Sequence, residues 1–395
     1  MIEYRQSHLP IFYCVLSTFY REIVMKVGVM TFPHSTSCGA ALQMYALCRA
    51  VEKLGHSAEA IHYHNAFMKA GKHTRSKSSG KYFHQLVRFC ARAVLHRRLE
   101  RTFREFENRF VPLYPEKSFS DKKKLSMADK RYDAVICGSD QVWNPNITDR
   151  DLSYFLDFCT ENTGRIAYAP SFGVENLEEE YAASVRAELM QFSALSSREA
   201  SGQALIARLT GKDVPVVLDP TMLLETEEWH ALEQPHPLAQ GEYILYYTVR
   251  SSASLWASCR ALSEKTGMKI VVVGGNAIKA MRNRDPMVAY AADASPAEWL
   301  YLIRHARYVV TNSFHGTAFS AIYRKDFYVE LSSATNSRLS HIVDMLGLRE
   351  RIVSGGLCDV GTACDYTKAD DVLPMLRAES LAYLSQALDE VARHG

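Results

Sequence analysis

No C-x-x-C pair occurs among the nine cysteines of this 395-residue chain. Several of them stand inside apolar runs, as in Val135-Ile136-Cys137, where a thiol behaves as a small hydrophobe. A disulfide framework or a zinc site is therefore not expected, and a reducing cytoplasm fits best. Near the start, the apolar stretch 9–20 is too short to span a bilayer and is interrupted by Pro10, Ser17 and Thr18. It also lacks the basic opening, longer apolar core and small-residue cleavage site of a signal peptide. The dinucleotide fingerprint G-x-G-x-x-G is missing, and so is the G-x-S-x-G elbow of a serine hydrolase. No helix-turn-helix, zinc finger or aromatic-decorated sheet pattern occurs, which leaves nucleic acid without a reader.

What is present is an ordinary globular composition, 47% hydrophobic and 23% charged with a net charge of +2, at a length suited to about two domains. From residue 26 onward, short apolar runs alternate with segments of helical spacing. Strands are expected at 26–32, 58–63, 132–137, 165–169, 194–197 and 214–218, and helices at 40–54, 178–192 and 200–209. A second series follows the Glu-, Pro- and His-rich stretch 225–241: strands at 243–249, 269–273, 307–310 and 326–331, with a helix at 253–266. Another helix opens at Ser295-Pro296-Ala297-Glu298, which combines an N-cap serine, a first-turn proline and a glutamate at the third position. The last helix covers 370–393, entered or interrupted at Pro374. Such alternation implies parallel sheets covered by helices on both faces. The expected organisation is an N-terminal extension 1–24, read either as a non-native or disordered stretch upstream of a natural start at Met25 or as a weak membrane-associating segment, then a Rossmann-like domain 25–225, a linker 226–241, a second Rossmann-like domain 242–369, and a C-terminal helix 370–395. The two domains would face each other across a cleft, with ligands near the C-terminal strand ends.

Residues 69–104 depart from the alternation. They carry eleven Lys and Arg against one acid, Glu100. Apolar residues at 83, 86, 87, 90, 94, 99 and 103 keep helical spacing, so the expected insertion 66–126 has one apolar face and a strongly basic remainder. Two readings are open: a solvated helix packed on the sheet, or a surface that meets a lipid diphosphate or an anionic membrane face.

One junction concentrates chemistry. Val309-Val310-Thr311-Asn312-Ser313-Phe314-His315-Gly316 runs from a strand straight into a helix. Such a junction offers free N–H groups and a positive dipole end to an anion, and a histidine there can pass a proton. The competing reading is a histidine packed under a loop. Gly39, Leu42 and Gln43 open the first helix at a similar position. Asp140, Gln141 and Trp143 follow the 132–137 strand, a mix suited to a sugar platform or to an N-cap network around a packed indole. Arg198 stands at another strand end, where its fork suits a carboxylate or phosphate or a neighbouring acid. Asp219-Pro220 is expected to be a strand-ending turn. His62 and His64, with no third ligand in view, are expected to be ordinary strand-end residues, and no metal is called for.

In order and spacing, these segments resemble the polysaccharide pyruvyl transferase family. The matching stretches are the 26–32 strand with Gly39 and Leu42-Gln43, Cys137-Gly138-Ser139-Asp140-Gln141-Val142-Trp143, Tyr168-Ala169-Pro170-Ser171-Phe172-Gly173, Ser197-Arg198-Glu199, Leu218-Asp219-Pro220-Thr221 and Thr311-Asn312-Ser313-Phe314-His315-Gly316. Ser37-Cys38 stand where members often have Asn-Tyr, and Phe314 stands where others carry leucine. The resemblance implies a glycosyltransferase-B-like pair of Rossmann domains. It also implies an enzyme that transfers pyruvate from phosphoenolpyruvate, as a ketal, onto a sugar of a surface polysaccharide or its lipid-linked precursor. No resident cofactor is expected, phosphoenolpyruvate being a co-substrate. On that reading His315 is the general acid and Asp140 activates the hydroxyl. Arg198, Ser313, Phe314, Gly316 and Gly39 hold the donor, and Gln43, Gln141 and Trp143 meet the acceptor. The protein would be cytoplasmic, with 69–104 touching the inner membrane face. Two other functions fit the same fold. A nucleotide-sugar glycosyltransferase would often carry an E-x7-E pattern in its second domain, and none occurs between 240 and 355. A non-catalytic sugar-binding protein of polysaccharide assembly would not need His315 and Arg198 together.

Overall fold

The computed structural model describes residues 24–64, 82–119, 122–274, 285–331, 336–353 and 362–394. The N-terminal extension and the basic residues 69–81 lie outside them. Two five-stranded sheets, parallel throughout, organise the chain. The first contains β1 (Lys26–Met30), β2 (Ser57–Tyr63), β3 (Leu113–Phe119), β4 (Ala134–Cys137) and β5 (Gly164–Ala167), in the order β3-β2-β1-β4-β5. The second contains β6 (Tyr243–Tyr247), β7 (Lys269–Val273), β8 (Val288–Ala291), β9 (Tyr308–Thr311) and β10 (Asp326–Val329), in the order β10-β9-β6-β7-β8. The fold is thus two doubly wound α/β units. The central strands read as unbroken apolar runs because helices cover both faces; all four residues of β4, AVIC, are fully buried.

Both sheets reverse direction of winding at one place. In the first the switch lies between β1 and β4, in the second between β6 and β9. Loops leaving neighbouring strands on opposite sides of such a point open a crevice at their C-terminal ends. Helix α1 (Cys38–Lys53) follows β1, and α7 (Phe314–Ile322) follows β9.

An apolar seam joins the units. Trp229, on a short helix (Thr226–His230) in the expected linker, is fully buried; its ring lies 4.9 Å from Phe319 of α7 and 6.0 Å from Tyr45 of α1. The linker is therefore packed rather than extended. Helix α2 (Tyr82–Phe110) buries Leu99, Phe103 and Phe106 and leaves Arg97, Arg98, Arg101 and Arg104 exposed. Thr102 Oγ1 donates to the carbonyl of Asp293, 3.2 Å away in the second unit. Between the two series stand α3 (Glu179–Leu189) and α4 (Ala200–Thr210); α5 (Ala253–Thr266), α6 (Pro296–His305), α8 (Asn336–Met345) and α9 (Thr367–His394) belong to the second half. Helix α9 crosses back to the first sheet: Tyr383 donates to the Ala167 carbonyl at 2.9 Å, and Ser380 Oγ accepts from the Leu218 amide at 3.0 Å.

Several elements differ from the sequence expectation. β3 lies inside the region expected to be a helical insertion; its sequence LYPEKSF carries a proline and two charges, as edge strands tolerate. β8, four residues at the other edge, is also absent from the expectation. The strands expected at 194–197 and 214–218 are reduced to single parallel bridges, Ile166 to Ala194 and Ser197 to Val216, which still continue the first sheet.

Candidate active site

The loops leaving β4 and β9 and the segment that follows Ser197 converge on one buried carboxylate. Asp219 is 1% exposed. Its Oδ1 accepts from the Thr221 amide (3.0 Å) and hydroxyl (2.7 Å), and its Oδ2 accepts from Ser139 Oγ (2.8 Å) and Arg198 Nη1 (3.1 Å). His315 Nε2 lies 3.6 Å from the same Oδ2. Burial alone would raise this carboxyl, but His315, Arg198 and Thr221 outweigh it and hold it well below the usual carboxylate range. Asp219 therefore stays ionised and ties a cation of the first unit to the histidine of the second.

Arg198 is the other pole. It is 4% exposed, and its guanidinium carbon sits 4.6 Å from the centre of the Phe314 ring. Nε lies 3.6 Å from Glu199, yet Nε and Nη2 are buried without a hydrogen-bond partner. His315 Nε2 and Glu199 Oε2 are likewise buried without one. Unspent donors on a buried guanidinium are costly unless a ligand completes them. A cavity of about 240 Å³ opens here. Arg198, Asp219 and Phe314 form one wall; His341, Ile342 and Met345 of α8 and Glu379 and Ser380 of α9 form others.

The β9–α7 turn is built to fix His315. Thr311 Oγ1 donates to the Tyr247 carbonyl and accepts from the Ser313 amide; Asn312 bridges Val249 and Arg250. Ser313 caps α7 by accepting from the Gly316 amide at 3.3 Å. A Cβ on Gly316 would lie 2.3 Å from Thr311 Oγ1, so the turn admits only glycine there. Both the Ser313 and Gly316 amides are thus engaged within the turn. The Phe314 and His315 amides remain as first-turn groups without an intrahelical acceptor.

Gly39 stands opposite. A Cβ on Gly39 would fall 2.0 Å from His315 Nδ1; its place in the site is to admit the imidazole from the facing unit. Its neighbour Cys38 is buried, which pushes the thiol upward and makes it a poor nucleophile. Burial also raises the Tyr247 phenol, with Ser313 and Ser37 hydroxyls moderating the effect. Asp140, half-buried in a left-handed conformation (φ 77°), accepts from the Gln141 amide and is among the charges acting on Arg198.

Two acceptor residues expected from sequence are core residues instead. Trp143 is fully buried, stacks on Phe155 with ring centroids 4.9 Å apart, and gives its indole N–H to the Tyr154 carbonyl. Gln43 is fully buried and spends its amide on Thr31 and the Ala40 carbonyl. Neither has a face for a sugar. Gln141, half-buried, accepts from Asn144 Nδ2 at 2.8 Å. Sequence reasoning missed Asp219, which it left as a turn, and Ser139, Glu199 and Arg338, which it did not single out. Asp219 is indeed a turn residue, through Oδ1; the signal for more was its place at a strand end of the first sheet. His62 and His64 lie near His34, whose amide donates to the buried Glu107. Among the described residues no cluster could hold a metal ion.

Two Rossmann-like units with facing helix starts across one crevice make a glycosyltransferase-B-like architecture. Within it the chain belongs to the polysaccharide pyruvyl transferase family, whose sequence profile matches residues 38–329. No curated protein sequence matches the chain. Solved structures align over most of it. The UDP-GlcNAc 2-epimerase of Neisseria meningitidis shares 12% identity over 94% of this chain and 100% of its own, with a TM-score of 0.48. A glycosyltransferase of avilamycin A biosynthesis shares 12% over 93% and 97%, with a TM-score of 0.49. The UDP-N-acetylglucosamine 2-epimerase of Rickettsia bellii shares 10% over 94% and 96%, with a TM-score of 0.46. At such identities nothing about activity passes from these three to this chain. Among the described residues no helix is long and apolar enough to cross a membrane.

Two variants test the geometry. Gly39→Ala must displace the imidazole, and a misplacement of about 1 Å is worth about 10²-fold in rate. Turnover should fall by that order with the melting temperature little changed; normal turnover would show that His315 need not sit there. Asp219→Asn leaves Arg198 and His315 without their counter-charge and should cost about 3–5 kcal/mol at pH 7. Because the folded carboxyl lies below its unfolded value of about 4, its contribution is complete above that pH and is lost as pH falls through the folded value. Denaturant unfolding should therefore show the wild-type and variant stabilities converging below about pH 4. A gap that stays constant into strong acid would assign the loss to packing alone.

Proposed function

We propose that the protein transfers the pyruvyl group of phosphoenolpyruvate onto two hydroxyls of one sugar, as a ketal, on a surface polysaccharide or its lipid-linked precursor. The observation that carries the reading is the buried Arg198 with two unspent N–H sites beside the His315–Asp219 pair. A phosphate with a carboxylate on the next carbon asks for such a fork close to a helix start.

The chemistry follows from those positions. His315 gives a proton to the methylene carbon, and the carbon that bears the phosphate oxygen becomes an oxocarbenium-like centre. A sugar hydroxyl attacks it and loses its proton, with Asp140 as the acceptor of that proton. The carbon–oxygen bond to phosphate then breaks, phosphate leaves, and the second hydroxyl closes the ketal, its proton returning to His315 while phosphate takes the one held by Asp140. Asp219 orients the imidazole. Gln141, at the mouth of the same loop as Asp140, is placed to meet the acceptor. The exposed arginines of α2 suit the diphosphate of a lipid-linked acceptor or an anionic membrane face.

General acid catalysis is typically worth about 10²–10⁴ in rate, so His315→Gln should lower kcat by that order while the melting temperature holds. Mass spectrometry of sugar acceptors incubated with phosphoenolpyruvate reads the product as an added pyruvyl ketal. Near-wild-type turnover in the folded variant would remove His315 from the chemistry, and tight binding of a nucleotide-sugar with none of phosphoenolpyruvate would replace the donor. Charge reversal at Arg97, Arg98 and Arg101 should weaken turnover of a lipid-linked acceptor at least tenfold more than that of a soluble sugar analogue, an estimate based on about 1 kcal/mol per basic residue. Equal losses on the two acceptors would sink the surface role.

A further inference from the structure

Helix α8 carries a buried arginine close to Arg198. Arg338 is 8% exposed. It stands one turn before His341 and Ile342 and two turns before Met345, so it shares the helix face that walls the cavity against Arg198 and Phe314. The charges acting on it are Arg198, Glu199, Asp140 and Arg250. Burial lowers its pKa, and the neighbouring guanidinium of Arg198 adds to the effect. A guanidinium largely held out of water beside a like charge is a poor structural element unless a further anion completes it.

The charge balance of the site explains its presence. Asp140, Glu199 and Asp219 place three carboxylates around the crevice. Arg198 alone would leave a negative site, into which a donor carrying both a phosphate and a carboxylate would not enter. Arg338 and Arg250 restore the balance, and of the two only Arg338 is buried. The two anionic groups of the donor can be told apart by the donors they meet. Arg198 lies against Phe314, so an anion on its free Nε and Nη2 also lies beside the first turn of α7. That many-sided set suits a phosphate. Arg338 comes from a different helix and offers one planar fork, which suits a carboxylate.

We propose that Arg338 is the second guanidinium of the donor site and takes the donor's carboxylate, while Arg198 and the α7 start take its phosphate; this rests on the phosphoenolpyruvate reading above. The test uses the full chain, calorimetry with phosphoenolpyruvate and with ethyl phosphate, which lacks the carboxylate, and thermal unfolding without ligand. Arg338→Met should weaken phosphoenolpyruvate about 10–10²-fold, the span of a charged hydrogen-bonded pair, and change ethyl phosphate affinity less than about twofold, a span below that of one neutral hydrogen bond. Arg338→Lys should recover only part of the loss. The ligand-free Arg338→Met protein should melt at or above the wild-type temperature, because a buried charge beside a like charge has been removed. An unchanged phosphoenolpyruvate affinity, an equal loss on both probes, or a lower ligand-free melting temperature would each overturn the assignment. A wild-type protein that binds ethyl phosphate but not phosphoenolpyruvate would overturn the donor reading itself, a result no Arg338 variant can mimic.

Discussion

Everything in the crevice depends on one ionised carboxylate that water does not reach. Asp219 accepts four hydrogen bonds and faces His315 Nε2. In a low-dielectric setting such a group is tolerable only when every lone pair is engaged and positive charge is near. The arrangement therefore works in both directions. Arg198 and His315 keep Asp219 charged, and Asp219 keeps Arg198 and the imidazole in fixed positions. Arg198 comes from the first unit and His315 from the second, so the carboxylate also joins the halves at the candidate site. Electrostatic preorganisation of this kind needs no rearrangement when charge develops in a transition state.

A fixed seam is what allows so close a meeting. The Trp229 contacts with α1 and α7 leave the two helix starts no freedom to drift apart, and the absence of a side chain on Gly39 lets the imidazole approach the backbone of α1. Either feature alone would be insufficient. An apolar seam with a larger residue at 39 would push His315 off Asp219, and a glycine without the seam would leave an open gap for water. The sheet order supplies the rest, because each switch point presents two loops to the same crevice.

The alternation of short apolar runs with helical segments made the two parallel sheets legible, and strong local signals fixed particular elements. The capping box at Ser295–Glu298 and the helix 253–266 with the strand 269–273 match the observed bounds. The edge strands β3 and β8 were not legible, since a partly solvated strand need not be apolar. In the site, residues at strand ends with one conspicuous function were visible: His315, Arg198 and the glycines. Asp219 was hidden because its turn-forming role accounts for it completely in one dimension; only the fold shows its second oxygen facing Arg198. Trp143 and Gln43 erred in the other direction. Their residue types suit sugars, but whether a face is open depends on Phe155, Tyr154 and Thr31, which no local pattern announces.

The basic face of α2 sits on a mount that reaches the same crevice. Leu99, Phe103 and Phe106 anchor the helix in the core, Thr102 fastens it to Asp293 of the second unit, and Glu107, fully buried, accepts from the His34 amide in the loop that leaves β1. That loop leads directly into Gly39 and α1. A pull on the exposed arginines is therefore resisted by contacts to both units and by a buried carboxylate, not by a flexible arm. An anionic group engaged by Arg97, Arg98 and Arg101 would be held at a set distance from His315. Such a mount suits an acceptor whose charged carrier and reacting hydroxyls lie several bonds apart, because binding energy spent at the carrier then positions the hydroxyls rather than merely raising occupancy.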